Sequence, residues 1–184
     1  MSERRLERLR VLVVDDNHHM INIVKTILRG FGFKEFYDAR DAVEALDIMK
    51  NTQIDVMITD YAVSPINGCE LISLVRNADD SPNPYVPIIM LTAYAERSKV
   101  EEARDAGMSE FCAKPVTARG LYDKVRSVIN APRAFVRTAH YFGPDRRRRS
   151  SDSFNGEERR EGVFGAKSIE SVGQAAADKS AHAA

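Results

Sequence analysis

Asp15-Asp16, Asp60, Thr92 and Lys114-Pro115 are the residues of this chain whose types could act together chemically. Three carboxylates at close quarters repel one another, and at least one takes up a proton unless a cation intervenes. A hard divalent ion with oxygen ligands, most simply Mg²⁺, suits such a group; it keeps several waters, takes one or two carboxylates and leaves room for phosphate oxygens. Lys114 offers a compact positive charge for a phosphoryl group, and the Thr92 hydroxyl offers a directed donor. No His, Ser or Cys nucleophile is required if a carboxylate is itself attacked, which is aspartyl-phosphate chemistry. Taken singly, each residue has a plainer use. Asp15-Asp16 can cap a helix, Asp60 can end a strand, Thr92 can cap a turn, and Lys114 can simply be solvated. The chemistry depends on elements that bring a hundred residues of chain to one place.

Those elements are legible as apolar runs. Val11-Leu-Val-Val14, Val56-Met-Ile-Thr59 and Ile88-Ile-Met-Leu-Thr92 are continuous and β-branched, as strands covered on both faces of a parallel sheet should be. Glu110-Phe-Cys-Ala113 is a weaker strand, and Glu35-Phe-Tyr37 suits an edge. Between them lie helical periods. Met20, Ile23, Val24, Ile27, Leu28 and Phe31 predict a helix closed by Gly30 and Gly32. Val43, Leu46 and Met49 mark a second helix, Leu71, Leu74 and Val75 a third, and Leu121, Val125, Val128 and Ile129 a fifth. Segment 96–106 is polar, with Val100 and Ala103 as its main apolar contacts, and should be a loosely held helix. Five β-α repeats with right-handed crossovers favour a doubly wound sheet with helices on both faces. Such sheets place their site beyond the carboxyl ends of the strands, where all the chemical residues above fall.

In that order and at those strand ends, Asp15-Asp16, Asp60, Thr92 and Lys114-Pro115 resemble the receiver domain of two-component response regulators, specifically the stand-alone chemotaxis type, over residues 9–130. The resemblance implies a flavodoxin-like five-stranded parallel sheet of order 2-1-3-4-5, for which the chemotaxis receiver is a known example. It makes Asp60 the phosphoacceptor, Asp16 a direct Mg²⁺ ligand, Asp15 a ligand mainly through water, and the Ala62 backbone carbonyl a further ligand. Lys114 would pair with Asp60 or the phosphoryl group, Thr92 would bond a phosphoryl oxygen, and Phe111 would turn inward as Thr92 moves. Ala62 and Tyr94 would set the phosphoryl lifetime, and the Lys114–Pro115 bond would be cis. The implied partners are a histidine kinase or phosphotransfer protein upstream and a target protein on the surface of the fourth helix, fifth strand and fifth helix. Two departures bear on the loop over the site. Ser64 stands where receivers usually have proline, with Pro65 after it, and Asn67 precedes Gly68 where an acidic residue is common.

The rival enzyme is a Mg²⁺-dependent phosphatase with an aspartate nucleophile. That family wants a second acid two residues after the nucleophile, where this chain has Ala62, and no phosphate-binding G-x-x-x-x-G-K-[ST] loop is present. His18 and His19 are adjacent on a helix and point in different directions, so an exposed helix start is expected there rather than a shared metal. Cys69 and Cys112 lack paired metal-ligand spacing and read as buried thiols. The first residues carry no apolar signal core, and no apolar run approaches the roughly 20 residues that span a bilayer, so a cytoplasmic protein is expected.

Lys+Arg and Asp+Glu each number 27, which removes any whole-chain argument for nucleic-acid or anionic-membrane binding. The balance is uneven along the chain: residues 1–130 hold 17 basic and 20 acidic side chains, and 131–184 hold 10 and 7. The latter stretch also lacks leucine and methionine, so it builds no independent core and no helix-turn-helix. The expected organisation is a lead-in at 1–8, a receiver at 9–130, and an extended arm with a basic, mostly disordered tail at 131–184. Phe135–Phe142 alternates and holds three aromatics before a turn at Gly143-Pro144-Asp145, so it is either solvated or a docking arm. Arg146–Arg149, beside Ser150 and Ser151, and the nearby aromatics would suit single-stranded nucleic acid, but four charges give few phosphate contacts, so a solvated tail ranks first, a protein-docking arm second and nucleic-acid binding third. Alternating charges at Glu157–Glu161 and the alanine-rich end suit disorder.

Overall fold

The chain runs in strict alternation through β1 (Arg10–Val14), α1 (His18–Gly30), β2 (Glu35–Ala39), α2 (Ala42–Asn51), β3 (Val56–Asp60), α3 (Gly68–Asn77), β4 (Ile88–Thr92), α4 (Arg97–Ala106), β5 (Glu110–Ala113) and α5 (Ala118–Asn130). The computed structural model describes residues 6–93 and 96–146, and the backbone of 162–164. The five strands form one parallel sheet of order β2-β1-β3-β4-β5, the doubly wound topology expected from the apolar runs.

Register and pleat follow from two-sided burial. Leu12, Val14, Met57, Ile88 and Met90 point to a core shared with α2, α3 and α4, whereas Val11, Val13, Val56, Ile58, Ile89 and Leu91 point to a second core with α1 and α5. Val14 pairs with Thr59, Asp60 with Leu91 and Thr92 with Ala113, so the carboxyl ends of β1, β3, β4 and β5 finish at one edge of the sheet.

The helix faces are turned somewhat from the sequence expectation. α1 buries Ile21, Val24 and Leu28 and leaves Ile23 exposed; α2 buries Ala42, Ala45 and Met49 and leaves Val43 64 % exposed. α3 buries Leu71, Ile72 and Val75 and leaves Leu74 half out, whereas α5 buries Leu121, Val125, Val128 and Ile129 as expected. In α2 the small alanines face the sheet because close approach of helix to strand favours small side chains there, and hydrophobicity alone does not distinguish them from Val43. Asn17, Asp41, Asn67 and Thr117 cap α1, α2, α3 and α5 with side-chain oxygens. α4 differs: Glu96 makes no such bond, and Ala103 is its one buried residue.

Beyond α5 the structure corrects the preference for a solvated arm over residues 131–146. β6 (Phe135–Thr138) and β7 (Tyr141–Pro144) form an antiparallel hairpin, and β8 (Gly162–Phe164) adds to the other side of β6. The turn is at Ala139-His140, not at Gly143-Pro144-Asp145, because Val136 pairs with Gly143 and Phe135 with Pro144. Phe135, Val136 and Phe142 are buried, so the arm docks on the receiver. The lead-in also contributes: its Leu6 is buried beside Leu9 in the core beneath α1 and α5. The expectations for Tyr94, Arg147–Arg149, Ser150, Ser151, Glu157–Glu161 and the alanine-rich end lie outside the described residues.

Candidate functional site

Asp15 follows the end of β1, β3 ends in Asp60, β4 in Thr92, and the turn after β5 begins with Lys114. The parallel register brings these four positions to one edge of the sheet, where the side chains of Asp15, Asp60 and Lys114 meet. Ligand oxygens of Asp15, Asp16 and Asp60 lie within 4.8 Å of one another. Lys114 Nζ stands between two of them, 3.0 Å from Asp15 Oδ2 and 3.0 Å from Asp60 Oδ1. The Lys114 backbone N–H donates to the Thr92 carbonyl at 2.8 Å, which fixes the start of the β5–α5 turn against the end of β4. The Lys114–Pro115 bond is cis, as expected, and so is Ser64–Pro65, which was not foreseen.

The two adjacent acids are not equivalent. Asp15 is buried, its Oδ1 accepts from the Asn17 N–H at 2.9 Å, and its Oδ2 accepts from Lys114. Asp16 is exposed and makes no ion pair among the described residues. Burial pushes the Asp15 carboxyl above the usual carboxylate range against the lowering pull of the Asn17 N–H and Lys114, while the Asp60 charge adds to the rise. For Lys114 the balance reverses. Burial pulls its ammonium down, but the hydrogen bonds and charges of Asp60 and Asp15 outweigh that and raise it. The ammonium is thus held charged between carboxylates that would otherwise repel.

Three negative oxygen donors and one ammonium fit a hard divalent cation well. Asp16 has its oxygens available, Asp60 has one oxygen on Lys114, and both oxygens of Asp15 are already engaged, which fits a ligand acting through water. Ala62 is exposed two residues beyond Asp60, and Thr92 is 2 % exposed at the end of β4. Phe111 is half-buried on β5 and packs against the core shared with α2, α3 and α4. His18 and His19 are exposed at the start of α1, where the cap is Asn17 rather than Asp15 or Asp16.

Two features escaped the sequence. Gly68 lies against the acceptor strand so closely that a Cβ there would meet the Asp60 carbonyl oxygen at 2.3 Å and the Tyr61 Cα at 3.1 Å. The Asn67-Gly68 dipeptide carried the signal, since glycine marks close backbone approach. Tyr61, the residue after Asp60, reaches α4: Lys99 Nζ donates to its hydroxyl at 2.7 Å and sits 5.0 Å from its ring centre, and the hydroxyl donates to Glu102 at 3.2 Å. No local pattern predicts a contact across 38 residues.

The family model of the response regulator receiver domain matches residues 11–126. The chain is 33 % identical over 123 residues to the chemotaxis protein CheY-3 of Vibrio cholerae, covering 67 % of this chain and 93 % of that protein. It is 32 % identical over 121 residues to the chemotaxis protein CheY of Pseudomonas aeruginosa, covering 66 % and 96 %. Among solved structures, CheY4 of Vibrio cholerae superposes with a TM-score of 0.59 at 28 % identity, covering 65 % of this chain and 98 % of that one. A CheY-like receiver domain protein from Methanospirillum hungatei gives 0.60 at 27 % identity, covering 67 % and 95 %. Each relative is matched over nearly its whole length, and the hairpin lies past the end of the matched family region.

Proposed function

The chain belongs to the response regulator receiver family, and from that membership we propose that it is a chemotaxis-type signalling receiver phosphorylated on Asp60. The observation that carries this reading is Lys114 Nζ at 3.0 Å from both Asp15 and Asp60, inside a cluster of three carboxylates at the strand ends. A histidine kinase or phosphotransfer protein supplies the phosphoryl group. An Asp60 carboxylate oxygen attacks phosphorus, the P–O bond forms, the P–N bond to the donor histidine breaks, and the histidine departs with the electron pair.

Asp16, Asp60 and the Ala62 carbonyl are the proposed direct ligands of a Mg²⁺ ion, with Asp15 acting through water. When bound, the ion supplies positive charge to the transferring phosphoryl oxygens. Lys114 gives up its carboxylate contact for a phosphoryl oxygen, and the Thr92 hydroxyl donates to another. Thr92 is drawn inward, Phe111 fills the space, and α4 shifts, changing the surface of α4, β5 and α5 that a target protein reads. The phosphoryl group alters the ratio of two states that both pre-exist. By the family resemblance, Ala62 and Tyr94 are the residues assigned to setting the phosphoryl lifetime.

The signalling unit is assigned to residues 9–130, with 1–8 as lead-in and 131–184 as an appended arm and tail. No helix among the described residues is long and apolar enough to cross a membrane, in keeping with a proposed cytoplasmic location. Incubation with acetyl phosphate and Mg²⁺ should add one phosphoryl group by intact mass, and Asp60→Asn should remove that addition while the fold is kept. Phosphate persisting on the variant would overturn the acceptor assignment. Rapid multiple turnover of a phosphate ester would make the chain a phosphatase instead.

A further inference from the structure

The hairpin grips the end of α4 that lies farthest from the acceptor loop. Gly107, which closes α4 in the left-handed region (φ 104°), lies against the hairpin strand β7, and a Cβ on Gly143 would meet the Gly107 Cα at 2.9 Å. Arg146, just past β7, pairs with Asp105 of α4 at 3.2 Å and stacks over Tyr141 at 4.0 Å. Beneath, Tyr85, Phe135 and Phe142 make mutual edge-on and tilted ring contacts with centres 5.2–5.6 Å apart. Arg133 donates to the Ser109 and Asp145 carbonyls, tying the start of the arm to β5 and its end back on itself.

The same docking buries Arg76 completely. Its Nε donates to the Gly107 carbonyl and its Nη1 to the Pro84 carbonyl, its guanidinium lies 5.1 Å from the Phe135 ring centre, and its Nη2 has no hydrogen-bond partner among the described residues. Burial pulls this guanidinium down to about 9, with only Tyr141 pulling the other way. A desolvated cation with an unmatched N–H under an aromatic lid opposes docking, so apolar burial by Phe135 and Phe142 is partly offset.

At its other end α4 is tied to the acceptor loop through Lys99 and Glu102 on Tyr61. This ten-residue helix buries only Ala103, packs Val100 and Ala106 against the core beside α3 and lacks a side-chain N-cap, so its polar ties are the Tyr61 and hairpin contacts, and a rigid helix that moves at one of them moves at the other. In the structure the docked hairpin accompanies the arrangement in which Lys114 pairs with Asp15 and Asp60.

We propose that the hairpin Phe135–Pro144 is a tethered brake on α4: a phosphoryl group on Asp60 loosens the hairpin, and loosening the hairpin favours the phosphorylated form. The proposal rests on Asp60 being the acceptor. Because the link is thermodynamic, each event biases the other by the same factor, about fivefold or more.

The test uses the full chain with Mg²⁺ and beryllium fluoride, a reversible mimic of an acyl-phosphate phosphoryl group. Hydrogen exchange is followed at 135–144 and 97–106, and fluoride-complex affinity is measured for the wild type, Phe142→Ala and Gly143→Ala. The first variant empties the aromatic contact and the second wedges the hairpin off Gly107; neither touches the acceptor site. Exchange in the wild-type hairpin should speed up about fivefold or more on complex formation, and both variants should bind the complex tighter by a matching factor. Unchanged hairpin exchange with unchanged variant affinity, or slower exchange on binding, overturns the brake and leaves the acceptor reading standing. Absence of any complex in the wild type overturns the acceptor reading and the linkage with it. If a variant fails to keep β1 and β3 protected, the wild-type exchange result alone decides.

Discussion

Replacing Lys114 with methionine removes the cation between two buried carboxylates while keeping the apolar stem. At 3.0 Å each contact carries a gross attraction of about 5 kcal/mol at an effective dielectric near 20. Desolvation of the ammonium, several kcal/mol, offsets much of the sum, and removing one member of a buried pair typically costs about 3–5 kcal/mol. The Lys114 side chain keeps 18 % exposure, which favours the lower end of that range, so a loss of about 3 kcal/mol is expected from a domain worth about 5–15 kcal/mol. Urea unfolding in EDTA at neutral pH reads it directly. Mg²⁺ should recover more stability in the variant than in the wild type, since its competitor for the carboxylates is gone; about 2.7 kcal/mol returns at a hundred times the dissociation constant. Asp15 already sits above the usual carboxylate range, and without Lys114 it rises further. A native-state value raised above the unfolded one favours the folded chain as the pH falls, so the variant's deficit should shrink toward lower pH. A loss below about 1 kcal/mol in EDTA, or a Mg²⁺ gain no larger than that of the wild type, would refute this account of the site.

Gly68→Ala should cost about 1–3 kcal/mol and slow phosphorylation by acetyl phosphate, because the added methyl collides with the Asp60 carbonyl; wild-type stability and rate would dismiss the close approach as a constraint. Asn67→Ala removes the side-chain oxygen that accepts from the Glu70 N–H at the start of α3, while the backbone N–H at position 67 keeps its bond to the Glu70 carboxylate, and should cost about 1 kcal/mol in urea unfolding, with phosphorylation retained. Burial pushes the Cys69 thiol up to about 12 and raises Cys112 as well, so neither should react with a disulfide reagent at about pH 8 until the chain is unfolded; native-state labelling would contradict their burial.

Most of the receiver was readable because its signals are local. Three β-branched runs and an intervening helical period specify parallel strands and crossover helices, and right-handed crossovers leave few topologies. The strand ends then gather Asp15, Asp60, Thr92 and Lys114 without any need to know side-chain packing. Helix faces were less legible: Val43 and Ile23 satisfy a helical apolar period yet face outward, because Ala42, Ala45 and Ile21 fit the sheet more closely. The hairpin was less legible still. Phe135–Phe142 has the alternation of a strand, but its turn position and its partner were not in the pattern.

The amino-acid sequence by itself determined the order of elements, the sheet and the convergence of the carboxylates with Lys114, since hydrophobic periodicity and chain connectivity act over a few residues at a time. Only the tertiary structure decided that Lys114 divides itself between Asp15 and Asp60, that Tyr61 reaches Lys99 and Glu102, and that the arm covers Arg76 and holds α4 at Gly107. Those outcomes depend on distances between residues far apart in the chain. They are set when competing packings are compared for desolvation, close fit and paired charge, quantities that a local pattern does not contain.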